Sequence, residues 1–408
     1  MQSFDLTIIG GGMVGLSLAA ALSKTPISIA IIENTPATKL SSNEIPTRVS
    51  AISYASKAIL EKVNAWQHIA PTRITPYHSM QVWDKDSFGK ISFDLSDLPD
   101  SAIDALGYII ENDQIQNALL QQVQSQENVT FHLPDSLKQM AVGEGEAWLT
   151  LESGKQLISK LVVGADGAHS ALRRMNDIPL VHWDYNHHAL VATIKTELPH
   201  GSCTRQIFTP EGPLAFLPLF DEHLCSIIWS VSPEKAVQLQ SLSHGEFNKQ
   251  LSREFDSQLG FCELQNETAS FPLKMRYARD FAQHRIALIG YAAHTIHPLA
   301  GQGVNLGLLD AISLAETIIS NIEQEKDIGA YTNLRHFERW RKTEATQMLA
   351  SMELLKRTFH GNNPLQKLLR DVALVLADNV SPLKTQFIKQ AMGLNGELPV
   401  MISAPAKN

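Results

Sequence analysis

The chain has 408 residues, 44% hydrophobic and 19% charged, with 34 basic against 42 acidic side chains and a net charge of −8. That length suits about two to three globular domains. The absence of any Lys/Arg stripe argues against nucleic-acid binding. In chain order, residues 4–9 form an apolar run that ends in Gly10-Gly-Gly12-Met13-Val14-Gly15. Residues 16–22 then read as a helix, and residues 27–32 as a strand ending on Glu33. A helix is expected over 55–63, and alternating strands over 80–84 and 90–94. Asn112 is expected to cap a helix over 113–124. Strands are expected over 129–132, 147–151, 161–164, 188–194, 214–219 and 224–230, with a helix over 233–242. The strand at 286–290 leads into the loop 291–303 and a helix from Val304, and residues 332–394 read as helical.

Strand, glycine turn, helix, strand and acidic residue together form the dinucleotide-binding fingerprint in its required setting. Gly10 permits the tight turn, Gly12 lets backbone approach a pyrophosphate, and Gly15 lets the helix pack on the strand. The helix N-terminus offers N–H groups and partial positive charge to phosphate. Glu33 can accept from a ribose hydroxyl. No second complete motif exists, because Gly143-Glu-Gly145 lacks both the third glycine and the strand-to-helix setting.

Two further motifs follow. The strand 161–164 ends in Ala165-Asp166-Gly167, with Ser170 and Arg173 close behind, so a carboxylate sits where a strand delivers side chains to a ligand crevice. The segment Gly290-Tyr291-Ala-Ala-His294-Thr-Ile-His297-Pro298-Leu-Ala-Gly301-Gln-Gly303-Val304-Asn305 precedes a helix. Its later glycines can present N–H groups to an electron-rich ring system. His294 and His297 suit a metal only on a helix, and Pro298 opposes that, so no metal is expected and loop packing is the reading. The three cysteines, Cys203, Cys225 and Cys262, show no metal-ligand spacing and read as buried reduced thiols. No basic n-region or run of eighteen apolar residues occurs, so the expectation is a cytoplasmic protein without a leader or membrane span.

The expected architecture is α/β and discontinuous. Residues 1–75, 105–178 and 280–331 form a nucleotide domain, 76–104 and 179–279 an inserted antiparallel sheet domain, and 332–408 a helical C-terminal region. Phe216, Pro218 and Trp229 of the inserted sheet are candidates for an apolar substrate pocket, with ordinary sheet core as the plain alternative. Residues 368–377 and 383–389 read either as an interfacial or oligomer-contact helix pair or as intramolecular packing.

The glycine motif, Arg48-Val-Ser-Ala-Ile-Ser, Gly164-Ala-Asp-Gly and the 292–305 segment together resemble the class A flavoprotein monooxygenases, above all the ubiquinone-biosynthesis hydroxylases. Val82-Trp-Asp-Lys-Asp-Ser-Phe-Gly, Leu106-Gly-Tyr-Ile-Ile-Glu-Asn, 183–194 and Gln390-Ala-Met-Gly-Leu are similar to the VisC-type 2-octaprenylphenol hydroxylases, which act at ring carbon 5. The resemblance spans nearly the whole chain. It implies a Rossmann-like FAD-binding domain with an inserted substrate sheet, as in p-hydroxybenzoate hydroxylase. It also implies FAD as cofactor and NAD(P)H as transient reductant. Gly10, Gly12, Met13, Val14, Gly15 and Glu33 would hold the ADP half. Arg48, Asp166 and Gly167 would lie near the pyrophosphate, and Pro298, Gly301, Gly303, Val304 and Asn305 along the flavin ring. The implied reaction passes through a flavin C4a-hydroperoxide, and the named catalytic candidates are Pro298, through its carbonyl, and His297. Substrate and partners implied are a polyprenylphenol, O2, a ubiquinone-biosynthesis complex or a homo-oligomer, and peripheral contact with the membrane's inner face.

One departure stands out: the family has Gly-Asp-Ala-Ala-His where this chain has Gly290-Tyr291-Ala-Ala-His. In the family that Asp accepts from the FAD ribityl chain. Losing a charged acceptor costs about 1.5–3 kcal/mol if its donor stays unpaired. One alternative follows: an FAD-deficient structural member of a quinone-biosynthesis assembly, or an inactive variant. A flavin-dependent prenyl-lipid reductase on the same fold is a separate alternative. A halogenase is disfavoured, because no Trp-x-Trp-x-Ile-Pro stretch occurs.

Overall fold

The computed structural model of the chain describes residues 1–37, 48–85, 88–98, 103–295, 302–359, 381–394 and 396–403. In chain order its first elements are β1 (Gln2–Ile9), α1 (Met13–Ala21), β2 (Ile29–Ile32), β3 (Val49–Ser53), α2 (Tyr54–Lys62), β4 (Thr75–Tyr77), β5 (Ser79–Asp84), β6 (Lys90–Asp94), β7 (Gly107–Glu111), α3 (Asn112–Gln124), β8 (Val129–His132), β9 (Leu137–Val142), β10 (Ala147–Leu151), β11 (Gln156–Gly164) and α4 (Ala171–Met175). There follow β12 (Leu180–Thr196), β13 (Cys203–Thr209), β14 (Gly212–Pro218), β15 (Leu224–Val231), α5 (Pro233–Gln240), α6 (His244–Glu254), β16 (Cys262–Leu264), β17 (Ala269–Ala278), β18 (Ala282–Gln283), β19 (Ile286–Leu288), β20 (His294–Thr295), α7 (Gln302–Glu323), α8 (Tyr331–Phe359) and α9 (Ser381–Ala391).

Strands β19, β11, β1, β2 and β8 lie side by side and all parallel. Such strands are buried on both faces, which explains the unbroken apolar run Ile29–Ile32 and the burial of every residue of Leu6–Ile9, Thr7 included. From β1, the chain order runs outward one way to β2 and the other way to β11. The carboxyl ends of β1 and β11 therefore flank a topological switch point, where open α/β sheets bind ligands. Gly10 and Asp166 emerge there.

The second sheet has nine strands, in the order β20-β17-β12-β15-β14-β13-β5-β6, with β16 beside β12. One face, carrying Leu190, Ile194, Phe216, Ile227 and Trp229, packs against α5 and α6 through Leu239, Phe247 and Leu251. A three-stranded sheet, β3-β7-β4, lies apart from both. The short β20 pairs with β17 through Tyr277 and His294, so the third motif joins the nine-stranded sheet. This is an α/β fold: a Rossmann-like region with an inserted β-sheet region and C-terminal helices.

Several local expectations change. Glu111, not Asn112, is the N-cap of α3, and it makes no side-chain capping bond. The amide oxygen of Asn112 instead accepts from Ser50 Oγ at 2.6 Å, which ties α3 to β3. The helix expected over 233–242 ends at Gln240, and α6 follows it, opened by a reciprocal capping box between Ser243 and Glu246. Gly143 and Gly145 lie in the turn joining β9 to β10, closed by Gly143 N–H to Glu146 O at 2.9 Å. Helix α7 is long and apolar enough to cross a membrane by length and composition. However, Leu308, Ala311, Ile312, Leu314 and Ile318 bury it in the main core between α1 and α8. In α9, Ile388 is buried against Leu217 and Leu219, and Lys384 pairs with Asp97 at 2.9 Å, so 383–389 packs within the chain. Residues 368–377 lie outside the described residues.

Candidate dinucleotide site

The glycine turn is built by backbone crowding. Gly10 adopts φ +110°, and a Cβ there would stand 2.5 Å from Ala165 O, at the start of the second motif. A Cβ at Gly15 would collide with Gly10 O. Only hydrogen fits at either position, so α1 starts directly against the turn. Gly12 is the extended N-cap of α1, and among the described residues no side chain caps the helix and none would meet a Cβ on Gly12 within 4 Å. Helix N–H groups therefore face a space with room for an anion. Glu33, at the end of β2, accepts from Gly11 N–H at 2.6 Å and from Thr35 N–H at 2.8 Å. Gln116 of α3, which the motif gave no hint of, donates to Gly11 O at 3.2 Å. Val14 packs against Gly290 and Gly307, which brings the first motif up to the third. Met13 is half-buried beside it.

Asp166 divides its carboxylate. Oδ2 accepts from Ala171 N–H at 2.7 Å and Leu172 N–H at 3.2 Å, holding the start of α4. Oδ1 is buried and has no partner among the described residues. A buried acceptor without a donor is costly, and a ligand hydroxyl would satisfy it. Gly167, at φ +78°, turns the chain away and leaves that side clear. The open α1 N-terminus suits a pyrophosphate and the orphaned Asp166 oxygen suits a hydroxyl, so these residues fit FAD. Ser170 caps α4 through Arg173 N–H at 3.0 Å. The buried guanidinium of Arg173 bridges Ala292 O at 2.7 Å and Ala168 O at 3.0 Å, linking the second and third motifs.

The third motif begins as a tight turn over 290–294. Asp310 of α7 accepts on one oxygen from both Gly290 N–H at 3.0 Å and His294 Nε2 at 2.6 Å. Its other oxygen accepts from Arg341 Nε of α8 at 2.7 Å. All three side chains are fully buried. Burial alone would push the Asp310 carboxyl up, but His294 and Arg341 outweigh it and hold it below the ordinary value. His294 is thus a packing residue within a buried ion network. The motif reading missed Asp310 and Arg341, although a lone acid inside the apolar run Leu308-Leu309-Asp310-Ala311-Ile312 marks the place.

Tyr291 is 40% exposed, and its ring lies on Gly303 so closely that a Cβ there would stand 2.5 Å from the phenol oxygen. The exposed Arg48 lies 5.0 Å over the ring of Phe271 on β17. The Asn305 side chain is spent internally, accepting from Ser53 N–H at 3.0 Å and donating to Ala51 O at 2.9 Å. It pins α7 to β3. Val304 is half-buried against the main core. His297, Pro298 and Gly301 lie outside the described residues.

The apolar pocket candidates need correction. Phe216, Pro218 and Trp229 are all buried. Phe216 and Trp229 belong to the core between the sheet and α5–α6, because every second residue of β14 and β15 turns to that side. The opposite face carries Ala189, Val191, Ala215, Ser226 and Ile228, paired across β12, β15 and β14. Phe271, paired with Ala189, lies on this face and meets Arg48 there. Strand alternation was visible in the sequence, but which face the helices cover was not.

Comparison with known proteins agrees with this geometry. The family described as FAD binding domain matches residues 3–349. The chain is 34% identical over 394 residues to 3-demethoxyubiquinol 3-hydroxylase of Escherichia coli (strain K12), covering 96% of this chain and 99% of that protein. It is 32% identical over 434 residues to the mitochondrial ubiquinone biosynthesis monooxygenase COQ6 of Homo sapiens, covering 94% and 92%. In fold it is similar to p-nitrophenol 4-monooxygenase PnpA from Pseudomonas putida DLL-E4, with a TM-score of 0.79 at 18% identity over 97% of this chain and 100% of that one. With a crowded glycine turn, an open helix N-terminus and near full-length identity above 30%, the chain belongs to the FAD binding domain family of FAD-dependent monooxygenases.

Proposed function

We propose that this monooxygenase hydroxylates a polyprenylated phenol of ubiquinone biosynthesis, at ring carbon 5, using NAD(P)H and O2. The near full-length identity to two ubiquinone-pathway enzymes carries the reading. The VisC-type motifs favour carbon 5, and carbon 3, named for the E. coli relative, is the alternative position. Gly10, Gly12, Met13, Val14 and Gly15 would seat the pyrophosphate, Glu33 the adenosine ribose, Arg48 the phosphate edge, and Asp166 a hydroxyl. Gly303, Val304 and the segment with Pro298 and Gly301 would border the flavin. Bound FAD supplies the redox chemistry with O2. The chain's own part is to place the phenol carbon at reaction distance and to keep water out. The apolar sheet face at Ala189, Ala215 and Ile228 suits an aromatic substrate with a prenyl tail. A peripheral membrane position and a quinone-biosynthesis complex are parts of the same reading.

The test has two stages. First, absorbance from 300 to 550 nm is recorded on protein desalted after FAD addition. Then NADH- and NADPH-dependent conversion of a polyprenylphenol under 18O2 is followed, with the product's ring position assigned by NMR. Retained flavin bands and one labelled oxygen in the ring support the reading, and flavin without oxygen incorporation points to a reductase. A second reading rests on Tyr291, whose ring covers Gly303 at the start of α7. In it, the chain is an FAD-free member of a quinone-biosynthesis assembly. A colourless protein that retains flavin only as Tyr291→Asp would establish that reading.

A further inference from the structure

We propose that Arg341, acting through Asp310, is a positioning residue that sets Tyr291 against the start of α7 and so shapes the cofactor site. The proposal rests on the FAD assignment, though not on the identity of the phenol.

One carboxylate oxygen of Asp310 takes both ends of the 290–294 turn, the Gly290 N–H and the His294 ring. Arg173 takes the middle of the turn at Ala292 O. The turn is thereby fixed at three residues, and Tyr291 is the one whose side chain leaves it. That side chain lands on Gly303. Gly303 and Asp310 are seven residues apart on α7, two turns along one helical face. A single helix thus holds the turn's backbone at Asp310 and receives its projecting ring at Gly303.

Arg341 is the only side chain given to the second oxygen of Asp310 among the described residues. It comes from α8, outside all three glycine motifs. Stability alone is a poor reason for the arrangement. Buried ion pairs are often no more stable than apolar replacements, and here Arg341 Nη2 and His294 Nδ1 are buried without partners among the described residues. Orientation is what the network provides. With Arg341 replaced, Asp310 can rotate off the Gly290 and His294 donors, and Tyr291 loses its fixed distance to Gly303.

The experiment compares wild type with Arg341→Met, Arg341→Lys, Tyr291→Ala and the double variants at 341 and 291. Readouts are the FAD dissociation constant, the visible band of the bound flavin and the denaturation midpoint. The expected result is an FAD dissociation constant raised about tenfold or more in Arg341→Met, with a shifted band and most of both recovered by Lys. The effects of the 341 and 291 substitutions are expected to be strongly non-additive. If Arg341→Met does not fold, the cycle of Arg341→Gln with Tyr291→Ala reads the same coupling, because Gln also removes the charge from the second oxygen of Asp310. Additive effects, or an altered midpoint with unchanged affinity and band, overturn the proposal. A wild type that retains no flavin overturns both the proposal and the FAD assignment. Flavin retained by wild type and equally by every variant overturns the positioning role alone.

Discussion

Phe216 lies flat on Phe255, with ring centroids 3.5 Å apart and planes 1° from parallel. The contact joins β14 to the end of α6 on the helix-covered side of the nine-stranded sheet. Phe216→Ala should therefore cost about 3–5 kcal/mol of unfolding free energy, read by urea denaturation. The KM for the phenol should stay within about twofold of wild type, since buried packing, not substrate contact, is lost. A large KM change in a fully stable variant would return Phe216 to the pocket.

Glu33 accepts the Gly11 N–H at 2.6 Å and remains half-buried beside the turn. Glu33→Ala removes a charged acceptor worth about 1.5–3 kcal/mol. FAD should bind roughly ten- to a hundredfold more weakly, as measured by fluorescence titration. Unchanged affinity would mean that Glu33 serves the turn and not the ligand.

His132, on the edge strand β8, has both ring nitrogens buried without a partner among the described residues, and meets Phe4 edge-on at 6.1 Å. Burial pulls its pKa below 6.5. As pH falls through about 6.5 the unfolded chain binds this proton and the folded chain does not, so stability present above that pH is lost below it. His132→Phe should remove up to about 1.4 kcal/mol per pH unit from the slope of stability between pH 6.5 and the folded value. Parallel slopes in variant and wild type would exclude His132 as the source.

Asp310 is shifted downward as well, with a similar result at lower pH. Its folded carboxyl sits below the ordinary 3.8, because two cations outweigh the cost of burial. Its contribution is full above the unfolded value and lost as pH falls from about 4 through the folded one. Asp310→Asn should be less stable at neutral pH by about 3–5 kcal/mol and show a flatter acid limb below pH 4. An acid limb identical to wild type would assign acid unfolding to other carboxylates.

Cys203, Cys225 and Cys262 are free and buried. Burial pushes the Cys262 thiol up to about 11 and Cys225 higher still. A colorimetric disulfide reagent at pH 8 should label none of them in the folded protein and all three after denaturation, since only thiolate reacts. Rapid native labelling of any one would show that the inserted sheet opens locally.

The first βαβ unit was legible because its signals are local: alternation of apolar runs, three glycines and Glu33 fall within one short stretch. Helix α6 was equally local and was missed, although Ser243 and Glu246 carry the capping-box spacing. The buried network was not legible as a network. Asp310 and Arg341 lie on different helices, and only tertiary packing makes one the partner of the other. Phe216 fits either a pocket or the sheet core by sequence, because alternation tells that two faces exist but not which one the helices cover. Asn305 sits in a motif that implies a ligand, yet its amide is spent on a strand edge 252 residues earlier.

That last bond has a consequence during synthesis. Strand β3 has its Ser53 N–H and Ala51 carbonyl completed by Asn305. A ribosome adding about 5–20 residues per second reaches Asn305 roughly 13–50 s after Ser53. The partner β11 of the central strand β1 is likewise made more than a hundred residues later. Until then the nascent chain carries an apolar parallel-sheet edge with its glycine turn unsupported. Such an edge invites pairing with other chains, so the same separation in sequence that builds the cofactor crevice leaves the growing polypeptide dependent on protection until β11, and then its own parallel neighbour β19, are made.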